Sequence, residues 1–162
     1  MANKVYLIPE TAITWLASGG TNAFTPTSLA TVSGRQGAYD DLGTSAHPRR
    51  YRWRAWLKPG ATRVVGEVVR VYLVTGDDGT VYDNDDGTGD IALSSVNKLL
   101  NASMIGQVVI DENAAVTMSA SGEVEISARY VAPIFYNQTA NTLSSTAGDF
   151  GFMLVPVPDE IQ

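Results

Sequence analysis

Between residues 50 and 58 polar and apolar side chains alternate almost without a break. Tyr51, Trp53, Ala55 and Leu57 fall in one phase, and Arg50, Arg52, Arg54 and Trp56 in the other. A period of two marks a strand with one face on a core and the other turned outward. Pro59-Gly60 then turns the chain, and 64–75 follows as a longer valine-rich strand interrupted by Gly66, where a bulge is expected. Shorter runs of the same kind predict strands at 4–8, 28–32, 106–111, 114–119, 123–136 and 150–155. Within 123–136, Pro133 has no N–H to donate, so the strand should bend or end there, or lie at a sheet edge. Only 94–103 has helical spacing, with Val96, Leu99 and Leu100 on one side and Ser94 or Ser95 as the N-cap.

Seven or eight short strands separated by turn signals predict an all-β fold, a single β-sandwich of jelly-roll type with at most one short helix. Residues 17–48 read differently, being rich in Gly, Ser, Thr and Pro. The expected division is therefore an extended N-terminal strand and arm over 1–48 and a sandwich domain over 49–162. Ordering such an arm on a partner costs about 1–2 kcal/mol per residue in backbone entropy, which buried apolar side chains must offset. Trp15, Leu16 and Phe24 are the candidates for that burial.

Composition narrows the chemistry. Charged residues make up 17% of the 162 positions and the net charge is −6, with one histidine and no cysteine. Disulfides, thiolate catalysis and histidine-rich zinc sites are thereby excluded. No Gly-x-Ser-x-Gly elbow accompanies His47, which reads as an exposed loop residue, and paired carboxylates have no motif behind them. A non-enzymatic role is expected. No signal peptide and no apolar run of membrane-spanning length is visible, so synthesis in the cytoplasm and no membrane partner are expected. Residues 1–70 carry nine Lys or Arg against four acids, a net +5, and the remainder two against thirteen, a net −11. The acidic total argues against nucleic acid as a partner, while the asymmetry suits contact between copies or docking on a charged lattice.

Three stretches could hold a site. Asp83-Asn84-Asp85-Asp86-Gly87-Thr88-Gly89-Asp90 has the texture of a calcium loop, with Asp83, Asp85 and Asp90 as ligands. Its glycine comes too early for an EF-hand and the closing acid is missing, so turn chemistry alone accounts for it and no cofactor is expected. Arg50, Arg52 and Arg54 with Trp56 form a basic face that suits a subunit contact. Tyr51 and Trp53 point to the other side and cannot stack beside it. Tyr130, Phe135, Tyr136, Phe150 and Phe152 could line a carbohydrate site but read first as core.

Several segments, in order, resemble structural proteins of tailed bacteriophages: Arg-Tyr-Arg-Trp-Arg-Ala-Trp (50–56), Val-Val-Gly-Glu-Val-Val (64–69), the 83–90 stretch, Ala-Arg-Tyr-Val-Ala-Pro (128–133) and Pro-Val-Pro-Asp-Glu-Ile-Gln (156–162). The set is similar to the small head decoration, or cement, proteins. That resemblance implies a β-rich virion protein on the capsid surface. It would bind the major capsid protein where shell subunits meet, stiffen the shell against internal DNA pressure and assemble with itself, as a trimer before a dimer. It transfers no chemical site. The interface residues expected on this reading are Trp15, Phe24, Arg50, Arg52, Arg54 and Trp56. A carbohydrate-binding sandwich on a phage head or tail is the alternative.

Overall fold

The computed structural model describes residues 5–7, 10–44, 47–80, 82–83 and 86–161, with the backbone alone at 5–7 and 159–161. Its strands are β1 (Val5–Leu7), β2 (Ile13–Leu16), β3 (Asn22–Ala23), β4 (Ser33–Gln36), β5 (Asp40–Asp41), β6 (Arg50–Leu57) and β7 (Val68–Gly76). They continue with β8 (Ile91–Ala92), β9 (Ser103–Val109), β10 (Met118–Glu125), β11 (Tyr130–Asn137), β12 (Gly151–Pro156) and β13 (Asp159–Ile161). Two sheets face each other as a β-sandwich: one five-stranded in the order β10-β6-β12-β2-β3, the other six-stranded in the order β8-β4-β11-β7-β9, with β5 beside β11. The two sheets establish the sandwich class. The jelly-roll winding remains an expectation. β1 and β13 pair with each other outside both sheets.

Between the sheets lies the main core. β6 contributes Tyr51, Trp53, Ala55 and Leu57, β12 contributes Phe152 and Leu154, and β7 and β11 answer with Val69, Val71, Val131 and Phe135. A second apolar layer forms on the far side of the six-stranded sheet, where Tyr72, Val74, Ala132, Ile134 and Tyr136 are covered by Tyr39, Leu93, Leu99 and Ala102. β7 and β11 are thus apolar on both faces, which explains why 68–76 and 130–137 read as near-continuous hydrophobic runs.

The predicted arm is part of the sandwich. β2 and β3 complete one sheet, and β4 and β5 pair with β11 in the other. Trp15 and Phe24, expected to anchor on a partner, are each 0% exposed inside the chain's own core. Trp15 lies 5.7 Å from Phe152, and its Nε1 donates to the Ala38 carbonyl at 2.6 Å. Phe24 meets Phe135 edge-on at 4.8 Å. Glycine and proline punctuation signals turns but says nothing of whether the segments between them are docked.

Three further elements differ from expectation. The 28–32 strand is a turn, because Ser28 and Val32 have φ of 52° and 53°, which no strand accommodates. Left-handed backbone at a β-branched residue costs about 1–3 kcal/mol. A buried knot around Asn137, which is 0% exposed, holds it in place. Asn137 Nδ2 donates to the Leu29 and Asn141 carbonyls, both at 2.9 Å, and its own carbonyl accepts from the Val32 N–H at 2.8 Å. The 123–136 run is two strands, since 123–125 closes β10 and the chain then crosses to β11 in the other sheet. Finally, Pro133 sits mid-strand in the sheet interior, opposite Leu73. Its polar groups face the side where β4 gives way to β5; there the Pro133 carbonyl accepts from Gly37 at 2.9 Å, and no ladder bond requires the missing N–H. The neighbouring strand is interrupted, and β11 runs on unbroken.

The 114–119 run is strand only from Met118, where β10 begins. Val96–Asn101 is a 3₁₀ helix capped by Ser95, whose hydroxyl accepts from the Asn97 N–H. Gly79 and Gly87 take φ of 75° and 93° in the two Asp-Gly turns. Gly66 turns the chain ahead of β7, and the bulge lies instead on β9, where Ile105 is the extra residue between Met104 and Gly106.

Candidate interaction face

β6 is the second strand of the five-stranded sheet, held between β10 and β12, so its outward phase lies in the middle of a broad exposed face. Register fixes the neighbours. Arg50 stands opposite Glu125, Arg52 between Glu123 and Val155, Arg54 between Ser121 and Met153, and Trp56 between Ser119 and Gly151. Arg52 and Arg54 are exposed, while Arg50 and Trp56 are half-buried. A Cβ at position 151 would come within 2.0 Å of the Trp56 ring, so the glycine is what lets the indole lie flat over β12.

Arg52, Arg54, Ser119, Ser121, Met153 and Val155 line a shallow groove along this face. It has hydroxyls on one bank, apolar side chains on the other and guanidinium groups along the middle. Neither Arg52 nor Arg54 makes an ion pair with a described residue, although Glu123 is the cross-strand neighbour of Arg52. Residues two apart on one face of a strand are separated by roughly 7 Å. Two guanidinium forks at that spacing match carboxylates on alternate residues of an extended segment, each of which can be held bidentately. Tyr51 and Trp53 are buried beneath, 1% and 4% exposed, and offer no stacking surface.

Of the six residues expected at an interface, the structure therefore brings together Arg50, Arg52, Arg54 and Trp56 and places Trp15 and Phe24 in the core. Ser119, Ser121, Met153 and Val155 were not foreseen. They come from other strands, and only the period of two through 118–125 hinted that Ser119 and Ser121 share a phase with Glu123.

The acidic stretch is turned inward on its own fold. Asp90 accepts from Arg35 Nε at 2.6 Å and from the Thr25 hydroxyl, which occupies both carboxylate oxygens. Asp83 accepts from the Thr75 hydroxyl, and Asp86 from Ser94, with Lys98 Nζ at 3.9 Å. Asp85 lies outside the described residues. Among the described residues no group of three or more carboxylates or histidines is placed to hold a metal ion. Arg35–Asp90 and Lys58–Asp149 each set a base of residues 1–70 against an acid of the remainder, and Arg129–Asp41 runs the other way.

The bidentate Arg129–Asp41 pair, at 2.7 and 2.5 Å, holds the Asp41 carboxyl at about 2, helped by the Gly43 N–H. His47 is half-buried and not the exposed loop residue expected; its Nδ1 lies 3.2 Å from the Tyr51 hydroxyl. Burial raises Tyr51 to about 12, with Glu10 and Asp40 adding to the shift. Of the five aromatics that could line a carbohydrate site, Phe135, Tyr136, Phe150 and Phe152 are buried, and Tyr130 is half-buried with the Arg129 guanidinium 4.8 Å from its ring. No helix among the described residues is long and apolar enough to cross a membrane. No protein-family model matches the chain, and no curated protein is similar to it at a significant level.

Proposed function

We propose that this chain is a non-enzymatic structural protein of a bacteriophage particle, a head decoration protein that docks on the major capsid protein at subunit junctions and reinforces the shell. The observation that carries the reading is the pair of exposed arginines on β6, Arg52 and Arg54, set beside the Met153 and Val155 bank of a groove and unpaired with any described residue. On a chain with net charge −6, uncompensated guanidinium groups mark a place where an acidic partner is accepted and most of the remaining surface is repelled. Glu123 and Glu125 on the same face disfavour the continuous phosphate track of a nucleic acid. A rigid sandwich with one shallow docking face suits binding in many copies to a repeating lattice, where weak individual contacts are multiplied by effective concentration.

Quantitative mass spectrometry of purified particles tests this. The chain should be present in fixed proportion to the major shell subunit. Particles grown with the Arg52→Glu/Arg54→Glu double variant should lose it, while the free variant keeps the wild-type circular dichroism and melting temperature. Recovery of the chain in the soluble fraction alone overturns the proposal.

A further inference from the structure

The row of outward side chains on β6 does not end at Arg54. Trp56 is the next in phase, and beside it the five-stranded sheet opens into a pocket of about 150 Å³. Leu16 of β2, Trp56 and the loop residues Ala17 and Ala147 wall it, and Phe150, 1% exposed, forms its floor. No charged side chain stands among the described residues that line it. Leu16 and Trp56 are half-buried, so each keeps apolar surface turned to the opening. A Cβ at position 20 would come within 3.0 Å of Leu16, so that glycine, like Gly151 under Trp56, lets a wall take its place.

The pocket gives the arginine face a direction. Residues of one phase recur at roughly 7 Å along a strand, so the pocket beside Trp56, Arg54 and Arg52 are three successive stations of one row. Beyond them Glu123 stands opposite Arg52 and Glu125 opposite Arg50. The row is thus apolar at one end, cationic in the middle and mixed with acid at the other.

We infer, resting on the docking proposed above, that this row takes an extended segment of the partner protein with a set pattern: two carboxylates on alternate residues and an apolar side chain two residues beyond them. Charge selects the occupant. On a chain of net charge −6, Arg52 and Arg54 have no ion pair with a described residue, and carboxylates at the matching spacing complete them. In an extended chain every second side chain points to the same side, so all three recognition groups face the sheet and the residues between them face water. The apolar side chain enters the pocket at the Trp56 end, because acid occupies the other end of the row. A phosphate backbone would meet the same arginines but has nothing to place in the pocket.

Nuclear magnetic resonance titration of the full chain with the end-blocked peptide Leu-Thr-Glu-Thr-Glu-Thr-Leu tests the inference, since that peptide carries the pattern in either chain direction. Signals of Trp56, Arg54 and Arg52 should shift together and saturate. Alanine in place of both leucines should weaken binding on the order of tenfold, as expected when an apolar side chain no longer fills a pocket. Leu-Thr-Glu-Glu-Thr-Thr-Leu, in which the carboxylates point to opposite sides, should also bind more weakly. Ala147→Phe, which fills the pocket from an exposed position, and Trp56→Ala, which removes a wall, should each bind the leucine and alanine peptides alike while keeping the wild-type circular dichroism. No saturable shift at Trp56 and the two arginines overturns the inference. So does equal affinity of the wild type for both peptides, or a leucine preference that survives Ala147→Phe. Particles separate the pocket from the docking itself, where Ala147→Phe should be depleted. Its full retention on particles that reject Arg52→Glu/Arg54→Glu overturns the pocket assignment and leaves the docking standing, whereas retention of both variants overturns both.

Discussion

Removing the Asn137 side chain is the most informative single perturbation of this fold, because its three hydrogen bonds are not equivalent. In Asn137→Ala, the Leu29 carbonyl keeps its bond from the Leu143 N–H at 3.1 Å. The Asn141 carbonyl keeps the Thr139 hydroxyl at 2.7 Å. The Thr139 N–H, in contrast, donates to Asn137 Oδ1 at 2.9 Å in a buried setting and is left with nothing. One orphaned buried donor costs about 1–3 kcal/mol, and two lost bonds to carbonyls that retain a partner add about 1 kcal/mol, giving roughly 2–4 kcal/mol in all. For a chain of this size that lowers the melting temperature by roughly 5–15 °C. Asn137→Asp separates donor from acceptor: its carboxylate still receives Thr139 but faces the Leu29 and Asn141 carbonyls with no hydrogen to give. It should be the worse of the two at neutral pH and recover as the group protonates. Urea and thermal unfolding measure both variants. An Asn137→Ala protein within about 0.5 kcal/mol of wild type, the scatter expected of neutral surface changes, refutes the accounting and makes the knot a bystander.

Other predictions follow from the same geometry. A Cβ at Gly106 would lie 2.6 Å from Trp53 Cη2, so Gly106→Ala should destabilise by about 1–3 kcal/mol; Trp53→Phe, which withdraws that ring edge, should reduce the cost at least by half in a double-mutant cycle. Asp41 has its carboxyl lowered from 3.8 to about 2 in the folded chain, so its contribution is complete above pH 3.8 and is lost as pH falls towards 2. Asp41→Asn should flatten the acid limb of stability in that window, and an unchanged limb would count against the Arg129 contact. Because both oxygens of Asp90 are taken by Arg35 and Thr25, neither calcium nor a chelator should move the melting temperature. A rise of several degrees with calcium would show that the acidic stretch rearranges to bind it.

The sequence by itself determined what depends on local periodicity and on residue types that act alone. β6 is legible because Tyr51, Trp53, Ala55 and Leu57 keep one phase for a whole strand. The Ser95-capped helix and the two Asp-Gly turns are legible because capping and positive φ are demands of the residue itself. The outward direction of Arg50, Arg52, Arg54 and Trp56 follows from the same alternation. What only the tertiary structure decided is which strand lies beside which. The residues 13–41 look like an arm because β2 to β5 are two to four residues long, too short for alternation to register, and they are strands only by virtue of their partners, β12 for β2, β2 for β3 and β11 for β4 and β5. Pro133 is tolerated inside a sheet because β4 yields to β5 opposite it, a fact about the neighbour that no local signal carries. The groove around Arg52 and Arg54 is assembled from β10 and β12, and register between strands distant in sequence is fixed by packing the shared core. For the same reason Asp90 is spent on Arg35 and Trp15 on Phe152: a side chain's chemistry is set by its residue type, but its partner is chosen by the fold.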